Sequence, residues 1–283
     1  MMTAPQLLEK SEALPGSKER FSFGQNWSNF LKHLDEARII EAENSLKEKL
    51  GMEDLKGKTF LDIGSGSGLF SLAAHRLGAR IYSFDYDRDS VNCTQYLRET
   101  YGKNDLEWSV ERGSVLDRVF LDKFPAVDIL YSWGVLHHTG HMMQAFENVS
   151  LKVKEGGILF ISIYNDQGRA SKRWTWIKKH YNNGRLPTKI ILTLFSLIRL
   201  WIMTFIKDFF KSGNPFKTWF AYSRKNRGMS AWYDLVDWVG GYPFEVATPE
   251  EVFEFFKQKG FVLDKLKTCG GGLGCNEFVF KKK

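Results

Sequence analysis

The sequence predicts an α/β protein built on a doubly wound sheet, and three observations support this fold class. Five apolar strand-like runs alternate with helical patterns between Thr59 and Tyr164, a glycine-rich turn follows the first run, and the second run ends on Asp85. Such alternation is typical of parallel strands with helices on both faces of the sheet. With 283 residues, 43% of them hydrophobic, the chain can bury one core and carry an added subdomain.

The first strand, Thr59 to Ile63, leads into a turn with glycines at positions 64, 66 and 68, and a helical pattern begins at Leu69. Glycine is needed where φ is positive or where the backbone must approach a ligand closely. The dinucleotide fingerprint G-x-G-x-x-G would place its third glycine at position 69, one residue later than it stands here. The turn therefore indicates a nucleotide-like ligand, but its glycine spacing differs from that of the dinucleotide fingerprint.

An acidic residue followed by G-x-G-x-G resembles the first motif of the class I S-adenosylmethionine-dependent methyltransferases, and the resemblance extends to Tyr164 and to the last two strands. It implies the Rossmann-like methyltransferase fold, which is a mostly parallel seven-stranded sheet. It also implies S-adenosylmethionine as cofactor, S-adenosylhomocysteine as product, and no metal. At this turn the implied cofactor contacts are Asp62, Gly64, Ser65, Gly66 and Gly68.

The second and third strands add to the implied cofactor site. Asp85 lies 21 positions after Gly64, close to the ~20-residue offset at which a carboxylate meets a ribose. A carboxylate accepts both ribose hydroxyls, and Tyr86 can lie against the adenosine. Many members of the resembled family carry Gly-Asp after the third strand, where this chain has Gly-Ser. The adenine contact is therefore expected from Ser114, Val115 or their backbone.

Ligands of open α/β sheets bind outside the carboxyl ends of the strands, so the loop after the fourth strand faces the site. We expect cofactor contacts at Ser132 and Trp133. His137 and His138 are the best candidates for a general base, because histidine titrates near neutral pH, and V-L-H-H is also familiar at this point in the resembled enzymes. Alternatively, one histidine packs against or caps the next helix. Neither cysteines nor paired carboxylates accompany these histidines, which disfavours a metal site.

The N-terminal part of the chain has two interpretations. Aromatic residues between Arg20 and Trp27 precede a helical pattern from Phe30 to Leu50. They either anchor that helix on the sheet edge or form a flap over the site, with Asn26 and Trp27 contacting the acceptor. The first 18 residues lack the apolar stretch of a signal peptide, and the three cysteines form no C-x-x-C pair. These features predict a reduced, cytoplasmic setting.

Residues 165–245 are predicted to form a basic, aromatic helical insertion after the fifth strand. Between Asn165 and Leu235, 14 Lys and Arg oppose three Asp, a net charge of +11, whereas the rest of the chain carries −4. The apolar run from Ile190 to Ile206 contains Arg199 and would give ~25 Å of helix, which is short for a membrane span. We expect residues 189–211 to be buried in the subdomain, to form a homodimer contact, or to lie peripherally on the inner membrane face.

An insertion after the fifth strand lies above the strand ends and is expected to form the acceptor pocket. The predicted acceptor contacts are Tyr164, Asn165, Arg227, Asp237 and Glu245. Tyr233 is an alternative base. These charged residues can also be interpreted as a salt-bridged helix face.

The predicted organisation has four parts. Residues 1–56 form an N-terminal flap and helix, and residues 57–164 form the cofactor-binding core. Residues 165–245 form the acceptor-side cap, and residues 246–283 supply the last helix and two strands of the core.

Three functions fit these features. The first is methyl transfer from S-adenosylmethionine to a hydroxyl of a small molecule, sugar or lipid-linked intermediate. The second is RNA modification through the basic insertion, but the chain has neither an N/D-P-P-Y/F motif nor a Pro-Cys nucleophile, so nucleic acid is the less favoured partner. The third is a membrane-associated, non-catalytic protein that retains the fold. The intact glycine motif and Asp85 disfavour this third function.

Overall fold

The computed structural model describes residues 21, 24–32, 34–102, 107–225 and 230–283. Within them, seven strands form one sheet in the order β3-β2-β1-β4-β5-β7-β6. The strands are β1 (Thr59–Ile63), β2 (Arg80–Asp85), β3 (Trp108–Arg112), β4 (Val127–Trp133), β5 (Val153–Tyr164), β6 (Phe261–Lys267) and β7 (Cys275–Lys282). Strands β1 to β5 pair in parallel, and β7 runs antiparallel between β5 and β6. The predicted fold class is confirmed.

Helices cover both faces of this sheet, and side-chain caps start several of them. Asp87 and Thr248 each accept backbone N–H groups at the N-terminus of a helix. The helices are α1 (Gly24–Leu31), α2 (Glu36–Leu50), α3 (Leu69–Arg76), α4 (Arg88–Tyr101), α5 (Arg118–Leu121), α6 (Met142–Ser150), α7 (Arg169–Asn183), α8 (Leu186–Ser212), α9 (Lys217–Lys225), α10 (Ala231–Gly240) and α11 (Pro249–Gln258).

The helix predicted over Phe30 to Leu50 is two helices, α1 and α2. Asp35 separates them, because its backbone is extended (φ −129°) and its side chain accepts the N–H of Arg38 as an N-cap. An N-cap residue starts a new helix, and sequence periodicity alone does not show such a break.

The core lies on both sides of the sheet. Phe60 packs with Ile81 and Ile129 on the face that α2 and α3 cover, whereas Leu61 packs with Leu130 on the face that α6 and α11 cover. Strands covered on both faces read as continuous apolar runs. The strand order reverses between β1 and β4, and ligands of such sheets bind at this switch point.

Helices α7 to α10 occupy the described part of residues 165–245 and share a smaller apolar core. Its buried residues include Trp174 and Ile177 from α7 together with Leu235 and Val239 from α10. Phe244, which follows α10, completes this core and lies against Tyr164 at the end of β5, with ring centroids 5.1 Å apart. The subdomain is therefore packed directly onto the carboxyl end of the sheet.

Two side chains of α7 cap the C-terminus of α10. Lys178 is fully buried and donates to the carbonyl of Trp238, and Asn182, one turn later, donates to the carbonyl of Gly240 at 2.6 Å. The last carbonyls of a helix lack partners within the helix and carry partial negative charge, which suits a lysine donor. The ammonium also lies over the rings of Trp238 and Phe244, at 4.3 and 4.7 Å from their centroids.

Burial lowers the pKa of Lys178 from 10.5 to about 7, although the charge of Asp237 acts in the opposite direction. Between these two pKa values the unfolded chain binds a proton at Lys178 that the folded protein lacks. We therefore expect Lys178 to make the free energy of unfolding rise with pH in this window, by up to about 1.4 kcal/mol per pH unit. Urea unfolding at several pH values, compared between wild type and Lys178→Met, measures this contribution.

The matched control is Lys179→Met, because Lys179 is the exposed neighbour on the same helix. The control should keep the wild-type pH slope, whereas Lys178→Met should flatten it. Equal slopes in all three proteins would contradict the buried position of Lys178.

Candidate active site

The glycine turn lies at the switch point between β1 and β4, where it contacts the loop that follows β4. A Cβ at Gly64 would stand 2.4 Å from the side chain of Val135, and one at Gly68 would stand 2.8 Å from the backbone of Thr94. Both residues also have positive φ, +75° and +80°. No other residue type fits these positions without displacing the loop or α4. Ser65 supports the turn through a 2.8 Å hydrogen bond between its hydroxyl and that of Thr94.

Asp85 connects the glycine turn to the start of α4. One carboxylate oxygen accepts the N–H of Gly66 and the other accepts the N–H of Asp87, both at 2.9 Å. The backbone carbonyl of Asp85 also accepts the N–H of Gly113, at 3.0 Å. The ends of β2 and β3 therefore meet beside the turn. Both carboxylate oxygens of Asp85 therefore lie beside the turn, at the carboxyl end of β2.

The side chain of Asp62 lies beneath the turn and is buried. It accepts a 2.5 Å hydrogen bond from Ser71 on α3, whose hydroxyl also bonds to that of Ser83. Burial raises the pKa of Asp62 to about 7; the bond from Ser71 acts against this, and the charge of Asp85 adds to it. Two carboxylates thus lie close together around this turn, an arrangement that favours a cationic ligand.

Most of the side chains that were predicted to contact the cofactor at its adenosine end, and at the end of β4, are buried or form hydrogen bonds within the protein. Ser114 accepts the N–H of Leu116, and Arg112 donates to the carbonyl of Tyr86. Val115 is buried. The backbone carbonyls of Tyr86 and Val115 are engaged as well, by Arg112 and Asn148, so the predicted adenosine contacts stay a prediction.

The side chains of Ser132 and Trp133 form hydrogen bonds to other strands of the sheet. The hydroxyl of Ser132 is fully buried and donates to the carbonyl of Ile63, at 3.0 Å. The indole N–H of Trp133 donates to Glu277 on β7, which also pairs with Lys49 at 2.6 Å. Both side chains hold strands together, so the structure does not bring them to the ligand side as the sequence predicted.

The N-terminal segment lies over the glycine turn. The indole of Trp27 on α1 lies 3.1 Å from the Cβ position of Gly66. Upstream, the N–H of Phe21 donates to the carbonyl of Tyr242 at 3.1 Å. Asn26 lies on α1, but its side chain is not among those that the structure describes. Phe21 thus lies beside the residues after α10, and Trp27 lies at the glycine turn; the flap stays a prediction.

His137 and His138 form a single 3₁₀ turn after β4 and have different environments. His137 is fully buried, and its Nδ1 accepts the N–H of Tyr164 at 3.2 Å. Burial, with the charges of His138 and Lys178 nearby, holds the pKa of His137 well below its usual range. His137 is therefore neutral with its proton on Nε2, and it holds the end of β5 in place.

His138 is half-buried, and its Nδ1 lies 2.6 Å from the carbonyl oxygen of Pro243. A carbonyl only accepts hydrogen bonds, so Nδ1 carries the proton and the lone pair of the neutral ring is on Nε2. The ring stands edge-on to Tyr164, with centroids 5.4 Å apart. Backbone carbonyls orient catalytic histidines in this way.

The residues after α10 form a strap, residues 243–247, across the loop that carries the two histidines. Pro243 accepts from His138, the N–H of Glu245 donates to the carbonyl of His137 at 2.9 Å, and the N–H of Ala247 donates to the carbonyl of Tyr164 at 3.0 Å. This strap joins the helical subdomain to β4 and β5. Sequence reasoning missed the strap and Lys178, because neither carries a motif.

The prediction of an acceptor contact at Glu245 is not supported by its position. Its two carboxylate oxygens accept the N–H of Met142, at 3.0 and 3.1 Å, at the start of α6. His141 occupies the N-cap position of α6 without a side-chain hydrogen bond to the helix, so Glu245 serves as the cap from a distant part of the chain. A carboxylate at a helix N-terminus contributes about 1 kcal/mol to stability.

The remaining predicted acceptor residues separate into two groups. Tyr164 lies among the rings of His137, His138, Trp238 and Phe244, and burial raises its pKa above the usual value. The charges of Cys275 and of Asp237, which lies on α10, also raise this pKa.

The second group lies elsewhere. The side chain of Asn165 accepts from buried Asn276 at 3.0 Å and fastens β5 to β7. Tyr233 is 45% exposed on α10, which does not support it as the alternative base. Arg227 lies outside the described residues. Among the described residues, no three His, Cys, Asp or Glu side chains are grouped as metal ligands.

Comparison with known proteins gives a consistent result. The profile of a family described as a methyltransferase domain matches residues 33–236. The ribosomal protein L11 methyltransferase of Staphylococcus aureus (strain JH1) is 24% identical over 189 residues, which cover 62% of this chain and 56% of that protein. The enzyme of the same name from Helicobacter hepaticus (strain ATCC 51449 / 3B1) is 43% identical over 44 residues, 16% of this chain and 14% of that protein. This chain thus spans little more than half of the first relative and a small part of the second.

Solved structures share the fold at low sequence identity. Magnesium protoporphyrin IX methyltransferase from Synechocystis PCC 6803 with bound S-adenosylhomocysteine has a TM-score of 0.51 and 10% identity, over 99% of this chain and 92% of that one. The [4+2]-cyclase SpnF has a TM-score of 0.51 and 12% identity, over 86% and 80%. Because the family profile covers most of the chain, the protein belongs to this methyltransferase-domain family.

Proposed function

We propose that this methyltransferase methylates a hydroxyl oxygen of a small-molecule, sugar or lipid-linked acceptor, with His138 as general base. The observation that carries the proposal is the 2.6 Å contact between His138 Nδ1 and the carbonyl of Pro243. It fixes the tautomer whose Nε2 accepts a proton. A hydroxyl is a weak nucleophile and needs such a base, which contributes about 10²–10⁴-fold in rate.

The residues at the glycine turn fit S-adenosylmethionine. A Cβ at Gly64 or Gly68 would collide with Val135 or Thr94, so the turn is kept free of side chains where the backbone meets a ligand. The carboxylate of Asp85 lies beside the turn and is suited to the ribose hydroxyls. When bound, S-adenosylmethionine supplies an electrophilic methyl group on a positively charged sulfur, and the carboxylate of Asp85 beside the turn suits that cation.

The acceptor side is formed by aromatic rings. Tyr164 lies edge-on to Trp238, with centroids 5.6 Å apart, and 5.1 Å from Phe244. Together with His138 these rings favour an acceptor with an apolar or ring-shaped body next to its hydroxyl group. The charge of Asp237 lies close enough to act on Tyr164, and it can accept a hydrogen bond from a second hydroxyl of a sugar. We propose that Tyr164, Trp238 and Asp237 bind the acceptor.

In the proposed mechanism the protein contributes position and one proton transfer. Pro243 holds the imidazole of His138, Nε2 takes the proton of the acceptor hydroxyl, and buried His137 fixes Tyr164 through its backbone N–H. Positioning of the two reactants supplies much of the rate in such a direct displacement.

We expect His138→Ala to reduce turnover ~10²-fold or more while cofactor affinity stays within about twofold, because the imidazole acts only on the acceptor. The measurement is transfer of labelled methyl from S-adenosylmethionine into an extract of the producing cells, with calorimetry for cofactor binding. His141→Ala is the matched control, since His141 is an exposed histidine just beyond the same loop.

Unchanged turnover in His138→Ala would show that His138 is not the general base. Mass spectrometry of the product provides the second test: a methyl group on nitrogen, sulfur or carbon would contradict O-methylation.

The role of Asp85 has its own test. We expect Asp85→Ala to weaken binding of both S-adenosylmethionine and S-adenosylhomocysteine by more than about tenfold, since hydrogen bonds to a charged group contribute about 1.5–3 kcal/mol. Calorimetry measures both affinities. Glu111→Ala is a control on the adjacent strand, because its carboxylate pairs with exposed Lys123 instead. If Asp85→Ala bound both ligands as tightly as the wild type does, Asp85 would not be the residue that contacts the ribose.

A further inference from the structure

Helix α8 presents a long apolar face to solvent. Only 11% of its most apolar 18-residue window is buried, and its mean hydropathy there is 1.9. The buried residues of the helix are Thr193 and Ser196. The large exposed side chains are Leu186, Ile190, Ile191, Leu194, Phe195, Ile198, Ile202, Met203, Ile206, Phe209 and Phe210, at 42–82% exposure. Single exposed apolar residues are ordinary, but a continuous patch of this kind marks an interaction site.

The exposed residues form one stripe along the helix. Ile191, Ile198, Ile202 and Phe209 follow one another at spacings of seven, four and seven residues, which places them on the same side of the helix. The 27-residue helix is ~40 Å long. Phe216 and Phe220, just before and within α9, add exposed rings beside the C-terminal half of α8. We call this stripe and these two rings the α8–α9 face.

The opposite side of α8 is attached to the protein along its length, which argues against a helix that crosses a membrane. Trp201 packs on Trp219 and Tyr222 of α9, at centroid distances of 4.6 and 5.4 Å. Leu192, Leu197 and Leu200 pack against the core shared by α7 and α10. By length and composition α8 is the one helix of the described residues that could span a bilayer, but these contacts leave only one of its sides available.

Basic residues border the α8–α9 face. Arg199, Lys207, Lys211 and Lys217 are exposed along it. The acidic residue within α8, Asp208, accepts two hydrogen bonds from Thr218, through its N–H at 2.6 Å and its hydroxyl at 2.8 Å. Aromatic rings and cations around an apolar stripe are typical of helices that lie in the interface of an anionic bilayer.

This charge pattern distinguishes a lipid surface from a second copy of the chain. In a symmetric dimer the same patch meets itself, so the apolar stripes would pair while the surrounding lysines and arginines face each other. In such a dimer the exposed Arg199, Lys207, Lys211 and Lys217 would meet the same cations of the second copy, whereas an anionic surface neutralises them.

We propose that the α8–α9 face docks on an anionic membrane, with α8 parallel to the bilayer plane and its apolar stripe at the boundary between head groups and acyl chains. The cations at its border lie at the level of the phosphates. The long side chain of Arg199 reaches that level from the edge of the stripe.

Flotation with vesicles tests this proposal with the full chain. The wild-type protein should float with phosphatidylglycerol–phosphatidylcholine vesicles, and should float poorly with phosphatidylcholine alone or in high salt. Ile198→Glu, at a position that is 60% exposed, should lower the partition coefficient by about tenfold or more. The double variant Lys207→Glu/Lys211→Glu should lose the preference for phosphatidylglycerol.

The matched controls lie on α5, outside the face: Val119→Glu, at a position that is 82% exposed, and Arg118→Glu. Both should float as the wild type does, and calorimetry with S-adenosylmethionine verifies that every variant is folded. The proposal is overturned if the wild type does not float, or if Ile198→Glu floats as well as Val119→Glu. A vesicle-free dimer that Ile198→Glu dissociates, detected by sedimentation equilibrium, would also overturn it, because the face would then be a subunit interface.

Discussion

The close contact between Gly64 and Val135 is the constraint on which the site depends. The contact brings the turn after β1 against the loop after β4 at the point where the strand order reverses. Because the loop is held there, the next three residues place His138 at the same edge of the sheet as Asp85. The cofactor side and the proposed base are therefore positioned by one contact, between the backbone of Gly64 and the side chain of Val135, that leaves no space for a Cβ.

The strap of residues 243–247 couples the helical subdomain to that edge. Its backbone groups bond to His137, His138 and Tyr164, and the side chain of Glu245 caps α6. The subdomain does more than cover the sheet, since the orientation of the imidazole of His138 depends on a carbonyl that follows α10. A substitution in the subdomain can therefore alter the orientation of His138 through these hydrogen bonds, without any direct contact with the cofactor.

The sequence was most informative where local constraints determine the structure. The glycine turn, the acidic end of β2 and the order of strands and helices could be predicted, because φ values and apolar periodicity are local properties. It was least informative where a side chain finds a distant partner. Glu245 looked like a ligand residue but caps a helix 103 positions earlier in the chain, and buried Lys178 looked like part of a basic surface. No sequence pattern encodes such long-range pairings.

The position of Trp27 has a consequence for the boundary of the site. Its ring lies against the glycine turn, and Phe21 bonds to Tyr242 next to the strap. One side of the turn is therefore bounded by residues that precede the sheet in the chain. Removal of the indole of Trp27 would uncover Gly66 without changing any strand.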